Sequence, residues 1–282
     1  MWYKKYQSIY GKPFSDVPVD IIRETRERLA RLQSEQPLAS IVVIAYNEET
    51  RLQACLWSIS EMVCQFPVEV IGVDNDSTDR TTEVYENSGI PFYKEHMHSC
   101  GYARRCGLQH ARGRYYIDVD ADTIYPPHYF ELMIEHLQQK GVACVSATWG
   151  YLPDRNHSKL ELCLYEKARD LFLWIQHFKR PELSVRGLVF AYNAEYARKE
   201  SYRVDIIRGE DGSMALALKK YGKIKFIYNK RCKAMTGYGS MGSGTLWHSF
   251  VRKARFQFKG ISRLFYVTKG YKDTEDNLVK DV

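Results

Sequence analysis

Arg114-Tyr115-Tyr116-Ile117-Asp118-Val119-Asp120-Ala121-Asp122 begins as a strand and ends as a cluster of carboxylates. Tyr115, Tyr116, Ile117 and Val119 favour extended backbone, and Gly113 before them marks a turn. Pro126 and Pro127 end the pattern. Asp120 and Asp122 therefore fall at or just past the C-terminal end of a strand, where open α/β sheets bind their ligands. Residues i and i+2 of an extended chain point the same way. Like charges held side by side repel, and a cation relieves the repulsion. Carboxylate oxygens suit Mg2+ or Mn2+, with substrate phosphates completing the shell. Two other readings stay open: a solvated acidic turn, or a ring of Asp118, Asp120 and Asp122 around a Lys or Arg without metal.

Outward from this stretch the chain alternates strands and helices. Ser40 to Ala45 is a continuous apolar run, the mark of a strand buried on both faces. Val68 to Val73 is a second strand, Pro91 to Tyr93 a short third and Val142 to Thr148 a later one. Arg51 to Met62, Thr81 to Asn87 and Gly101 to Ala111 carry helical spacing. Such alternation means βαβ units and a mostly parallel sheet. The strands before Tyr46-Asn47-Glu48-Glu49, before Asp74-Asn75-Asp76-Ser77-Thr78-Asp79 and at Asp120-Ala121-Asp122 all end in polar corners. In a parallel sheet those corners converge on one edge. Beyond about residue 150 the rhythm changes, with a long amphipathic helix over Lys159 to Phe178, a shorter one over Gly209 to Tyr221 and a strand over Ile224 to Tyr228. The glycine-rich Gly237–Gly244 reads as a mobile loop.

The 282 residues suffice for a sizeable core. Their 45% hydrophobic and 27% charged content is that of a soluble globular protein. No apolar run is long enough to span a bilayer, and no signal-peptide pattern follows Met1. The expected location is cytoplasmic, with peripheral contact at the inner face of a membrane as an alternative. Seven cysteines without CxxC spacing favour reduced thiols, with Cys55, Cys64, Cys144 and Cys163 expected to be buried. The net charge of +7 suits an anionic nucleotide-sugar or membrane face, and no nucleic-acid module is present.

Four segments, in order, resemble the family 2 glycosyltransferases of the GT-A fold: Ile41 to Glu48, Val73 to Asp79, Asp120-Ala121-Asp122 and Gly209-Glu210-Asp211. The resemblance implies a Rossmann-like, mostly parallel sheet flanked by helices, with an acceptor-side C-terminal half. It also implies a nucleotide-sugar donor, a divalent metal and inversion at the sugar carbon. In its light Tyr46, Asn47, Glu48, Asp74, Asn75, Asp76 and Asp120 are expected nucleotide-binding residues. Tyr46 could flank a base or simply end its strand. Asp74, Asn75 and Asp76 could bond base and ribose, or only cap their own turn. Asn75 stands where the family often has an aspartate, which leaves uracil, thymine and guanine open. Arg105 falls on the family's arginine and is expected at the diphosphate or bracing the base pocket. Asp120 and Asp122 fall on the metal-binding pair, and Asp211 falls on the catalytic base, with Glu210 beside it as a second catalytic-site residue that contacts the acceptor or orients the site. The rival role for Asp211 is to complement a helix N-terminus. His248 is a further metal or diphosphate candidate. Arg252 and Arg255 are candidates for diphosphate or acceptor contacts. They lie on an aromatic, basic segment, Trp247 to Phe258, that could instead lie on an anionic membrane or pack on the core.

The sequence thus predicts an N-terminal helical extension at 1–37, a GT-A domain at 38–245 and a C-terminal segment at 246–282. Within the domain, the nucleotide half covers about 38–125 and the acceptor half about 126–245. The expected activity is metal-dependent inverting transfer of a sugar to a hydroxyl of a glycan or lipid-linked acceptor. A nucleotidyltransferase and a non-catalytic nucleotide-sugar-binding protein are the alternatives. The first fits poorly, because the corner after the first strand is acidic and lacks the glycine-rich, lysine-bearing loop that such enzymes use.

Overall fold

The computed structural model describes residues 1–153 and 159–237. The gap residues 154–158 aside, its helices and strands run in the order α1 (Val19–Leu32), β1 (Ala39–Ala45), α2 (Glu49–Ser60), β2 (Val68–Asp74), α3 (Thr81–Ser88), β3 (Phe92–Lys94), α4 (Cys100–His110), β4 (Tyr115–Asp120), β5 (Thr123–Ile124), α5 (Tyr129–Leu137), β6 (Val142–Ala147), β7 (Trp149–Tyr151), α6 (Lys159–His177), β8 (Phe190–Asn193), α7 (Ala194–Glu200), α8 (Glu210–Leu218), β9 (Lys223–Ile227) and β10 (Ala234–Thr236). Each element expected from periodicity is present, with ends shifted by a residue or a few, as fraying at termini allows.

The main sheet has the order β3-β2-β1-β4-β8-β6-β9. It is parallel except for β8, which runs antiparallel to both β4 and β6. Every residue of β1 and β2 is buried, which explains the apolar run of β1; the one charge inside β2, Glu69, accepts from the Ser40 hydroxyl and pairs with Arg112. Helices cover both faces and divide the core into two apolar clusters. The GT-A arrangement expected from the sequence is the fold of this chain. A second, small sheet, β5-β10-β7, stands beside it.

The close fit of α4 on the sheet depends on Gly107. A Cβ there would lie 2.5 Å from Val42 Cγ1 and 2.6 Å from the Tyr116 hydroxyl. With Ala103 and Leu108 also buried, this face of α4 presses onto β1 and β4.

Two expectations need correction. Residues 1–37 are not merely an extension. Tyr3, Tyr6, Ile9, Phe14, Val17 and Leu29 are buried in the larger core cluster. Leu29 is placed by α1, but Tyr3, Tyr6 and Phe14 are placed by two 3-10 turns, Trp2–Ser8 and Phe14–Asp16, and such turns carry no helical period to read. Glu61 pins this arm to the end of α2, accepting from the Tyr6 hydroxyl at 2.7 Å, Arg28 Nη1 at 2.7 Å, Trp57 Nε1 at 3.1 Å and the Lys5 ammonium. Of the cysteines, Cys55 and Cys144 are buried, but Cys64 is half-buried and Cys163 is exposed on α6. All seven thiols are free.

Candidate active site

The C-terminal ends of β1, β2 and β4 lie side by side, since Ala45 is in register with Asp74 and Ile44 with Asp120. Their corners are tied together by side chains. Asn47, at φ 53, uses Oδ1 to accept from the backbone N–H of Thr78 at 2.8 Å and of Asp79 at 3.3 Å. Asparagine tolerates this left-handed backbone better than most residues. Asp74 is buried, and it accepts from Ser77 N–H at Oδ1 and from the Thr82 hydroxyl at Oδ2. Both its oxygens shape the turn. Asn75 donates its amide hydrogens to the carbonyls of Glu95 at 3.0 Å and Met97 at 2.8 Å, which leaves Oδ1 as its remaining acceptor. Asp76, at φ 61, is exposed near His96. Tyr46 is half-exposed at the rim, edge-on to His98 with ring centroids 3.9 Å apart.

The floor of the cleft is built on Arg104, whose side chain is 2% exposed. Its Nη1 donates to Asp118 Oδ1 at 2.9 Å and its Nη2 to Asp120 Oδ1 at 2.9 Å. Its Nε lies 3.0 Å from Asp211 Oδ1 and 3.8 Å from Glu210 Oε1. Asp118 is completed by the Tyr202 hydroxyl, which donates to Oδ2 at 2.9 Å. Arg105, the expected arginine, points elsewhere: its guanidinium stacks over the Tyr102 ring at 4.7 Å. The reason is helix register. Arg104 shares the inward face of α4 with Ala103, Gly107 and Leu108, and Arg105 flanks it.

Asp211 enters this cluster from the first turn of α8, after Gly209 at φ 95 turns the chain. Its Oδ2 accepts from Gly187 N–H at 2.7 Å, while its buried Oδ1 accepts no hydrogen bond and has only the ion pair with Arg104 Nε at 3.0 Å. Gly187 admits no side chain, because a Cβ would lie 1.9 Å from Arg104 Nη2. The sequence reading missed this glycine. Its signal is faint: one Gly after Arg186 in a stretch without period.

Asp122 faces a different set of groups. Its Oδ1 accepts from the hydroxyls of Thr123 at 3.0 Å and Thr236 at 3.2 Å. Its backbone carbonyl accepts from the Tyr10 hydroxyl at 2.6 Å and from Gly237 N–H at 3.3 Å. Arg51 and Glu48, paired with each other, lie close enough to act on its charge. Neither Asp120 nor Asp122 receives a hydrogen bond at Oδ2 among the described residues.

Burial dominates the electrostatics. It pushes Glu48 up to about 8, against the charge of Arg51. Burial likewise carries Asp118 up to about 8, although Arg104 pulls the other way. Asp122 rises to about 6 through burial and the nearby Asp120 charge. Glu210 rises to about 7 through burial and Asp211, and burial raises Asp211 as well. The cleft therefore crowds more carboxyl groups together than Arg51 and Arg104 can pair, and burial favours their protonated forms. Such a cleft gains from an added cation.

That chemistry fits a divalent ion on the two free Oδ2 atoms of Asp120 and Asp122. Among the described residues no group of three His, Cys, Asp or Glu side chains is arranged to hold a metal. Protein ligands alone would thus leave the shell incomplete, as in sites that share a cation with substrate phosphates. His248, Arg252, Arg255, the loop beyond Gly237 and the segment Trp247 to Phe258 lie outside the described residues.

The profile of the family described as "Glycosyl transferase family 2" matches residues 40–190, more than half of the chain. The chain belongs to the family 2 glycosyltransferases. It is 28% identical over 105 residues to the putative glycosyltransferase EpsH of Bacillus subtilis, covering 36% of this chain and 30% of that one. It is 25% identical over 187 residues to an uncharacterized glycosyltransferase of Methanocaldococcus jannaschii, covering 64% and 63%. The matches thus span less than two thirds of these relatives. In fold, the chain resembles a mannosyltransferase of Pyrobaculum calidifontis, solved with GDP-Man and Mn2+, at TM-score 0.59 and 16% identity over 96% of this chain and 78% of that one. It also resembles glucosyl-3-phosphoglycerate synthase of Mycobacterium tuberculosis, solved with Mn2+, UDP-Glc and phosphoglyceric acid, at TM-score 0.53 and 19% identity over 90% and 87%.

Proposed function

We propose that this chain transfers a sugar, with inversion, from a nucleoside-diphosphate donor to an acceptor hydroxyl. A divalent cation, Mg2+ or Mn2+, would sit on Asp120 and Asp122, and Asp211 would act as base. The observation that carries the reading is Arg104, which touches Asp118 and Asp120 at the strand end and the Asp211 carboxylate across the cleft. One buried guanidinium thereby fixes the spacing between the donor-side carboxylates and the base. Mn2+ beside a nucleotide-sugar in two proteins of the same fold supports the cation.

The chain's own groups then divide the work. Tyr46 flanks the base at the rim. Asn75 offers only Oδ1, so it accepts from a base N–H as an aspartate would. Asp74 and Asn47 hold the corner rather than the ligand. Bound at Asp120 and Asp122, the cation would stabilise the charge of the departing diphosphate. Asp211, whose Oδ1 is ion-paired with Arg104 Nε but accepts no hydrogen bond, takes the acceptor proton as the hydroxyl attacks. Its raised affinity for protons matches that task. Glu210 contacts the acceptor. By analogy within the family, that acceptor is a growing surface glycan or a lipid-linked sugar.

The test is Asp211→Asn. It keeps the shape of the side chain but cannot take the proton. Turnover should fall about 10²-fold or more, with donor affinity by calorimetry nearly unchanged. The parent should gain activity with rising pH through a limb above the ordinary carboxylate range, because burial raises Asp211 and also the adjacent Glu210, the latter to about 7. The base must be deprotonated to act, so activity is lost below that limb. A variant within a few-fold of the parent would leave Asp211 as a helix-end carboxylate and move the base elsewhere.

A further inference from the structure

Helix α6 is amphipathic in an unusual sense: both of its long faces are structured for contact. Its inner face carries Leu162, Tyr165, Glu166 and Arg169, all buried. Glu166 accepts from Tyr151 N–H at 2.8 Å and pairs with Lys233. Arg169 donates to the Trp149 carbonyl and lies 4.1 Å over the Trp149 ring. These contacts hold α6 to the small sheet. The outer face carries Leu160, Leu164, Leu171, Trp174 and Ile175, with Phe178 just beyond the helix end, all 46% to 71% exposed. At 3.6 residues per turn these six side chains fall within about 100° of arc, a single apolar stripe about 28 Å long. Scattered exposed apolar residues are ordinary, but six aligned on one helix face, interrupted only at Lys167, are not.

The surroundings identify what covers it. Lys167 is exposed in the middle of the stripe. The mid-helix carboxylates, Glu166 and Asp170, are turned to Lys233 and Arg169. At the C-terminal end of the stripe, a cleft of about 370 Å³ at the edge strand β9 is lined by Lys140, His177, Lys223, Lys225, Phe226 and Tyr228. An apolar row with a tryptophan, bordered by lysines, has the chemistry of a helix lying in a lipid–water interface: aliphatic side chains enter the acyl boundary, the indole sits at headgroup level and the lysines meet anionic headgroups. A protein partner of matching shape would need acidic groups against the same lysines, whereas an anionic bilayer supplies them everywhere.

We infer that the outer face of α6 docks this protein on an anionic lipid bilayer. The inference stands apart from the transfer reaction. Among the described residues no helix is long and apolar enough to cross a membrane. Flotation of the full chain with vesicles of phosphatidylcholine containing phosphatidylglycerol is the test. Binding should be about tenfold tighter than to phosphatidylcholine alone and should weaken in high salt. Leu171→Glu with Ile175→Glu should weaken it about tenfold or more and leave the melting temperature unchanged. Lys223→Gln with Lys225→Gln should lower binding to the anionic vesicles alone. Three results would overturn the inference. Binding by the Glu variant equal to the parent's would put the contact on another surface. A melting temperature several degrees lower would show that the chain itself already covers the stripe. A parent dimer that the Glu variant splits, by light scattering, would assign the face to a second copy.

Discussion

Asp120 and Asp122 are two residues apart in sequence and end in different worlds. Asp120, the last residue of β4, is paired with the buried Arg104 and through it shares a cluster with Asp118, Glu210 and Asp211. Asp122, past the strand, is held by neutral hydroxyls of Thr123 and Thr236 and by the N-terminal arm through Tyr10. One carboxylate has a permanent counter-charge; the other is held up to about 6 by burial and by its neighbour's charge. The difference teaches that the two halves of an Asp-x-Asp sequence need not be equivalent. Asp120 is fixed in place with or without a cation, and Asp122 has the most to gain from one.

The largest effect should come from the Asp120 side. Arg104→Ala leaves Asp118 buried with a hydroxyl as its remaining partner. It should cost about 3–5 kcal/mol of stability, the scale for breaking a buried pair, and abolish transfer. Urea unfolding of parent and variant measures it. A loss under about 1 kcal/mol would mean that the cluster simply protonates and relaxes.

On the other side, Asp122→Ala should leave the fold intact but remove the Mn2+-dependent part of nucleoside-diphosphate binding. Calorimetry with and without Mn2+ reads this directly; unaltered Mn2+ dependence would strip Asp122 of its proposed role. Tyr10→Phe tests whether the N-terminal arm supports that side. Losing one hydrogen bond to the Asp122 carbonyl should cost about 1 kcal/mol and weaken Mn2+ binding a few-fold, with donor binding in its absence unchanged. Identical Mn2+ titrations for the two proteins would confine Tyr10 to packing.

The smallest effect concerns how the arm is anchored. Burial works against the Glu61 charge, but hydrogen bonds from Lys5 and Tyr6 and the charges of Lys5 and Arg28 outweigh it, so its carboxyl is held below the ordinary value. Its contribution is therefore present above the unfolded value of about 4.3 and is lost as pH falls through the lower folded value. Glu61→Gln should lose about 1 kcal/mol near pH 7, a figure discounted for solvent screening. The gap from the parent should narrow as pH falls below about 4.3 and close below the lower folded value. A gap independent of pH would assign the effect to shape rather than charge.

Much of the donor side was legible because strands buried on both faces announce themselves. Ile41 to Ala45, Val68 to Val73 and Tyr115 to Val119 could be placed from composition alone, and a parallel sheet then brings their corners together. The resemblance singles out Arg105, whereas the structure turns Arg104 into the acidic cluster; the signal for Arg104 is that Ala103, Gly107 and Leu108 mark the inward face of α4, which it shares and Arg105 does not. The tyrosines of the N-terminal arm gave no warning, since a 3-10 turn has no face long enough to show a period. β5, β7 and β10, two or three residues each, are too short for alternation. Gly187 could be valued only once Arg104 was seen lying against it.

The antiparallel strand β8 has one last consequence. Its Ala191 to Asn193 pair with Tyr115 to Ile117 of β4 on one side, and its Phe190 to Tyr192 pair with Cys144 to Ser146 of β6 on the other. The ladder therefore runs without a break from the strands that carry Asp74 and Asp120 to the strand that follows Gly187. Among the described residues the two banks of the cleft share one sheet, and parting them would shear a central ladder. Movement between these banks falls to side chains and corner loops. For the protein engineer, this makes the sheet a fixed chassis on which the corners at Asn47, Asn75 and Glu210 can be exchanged one at a time.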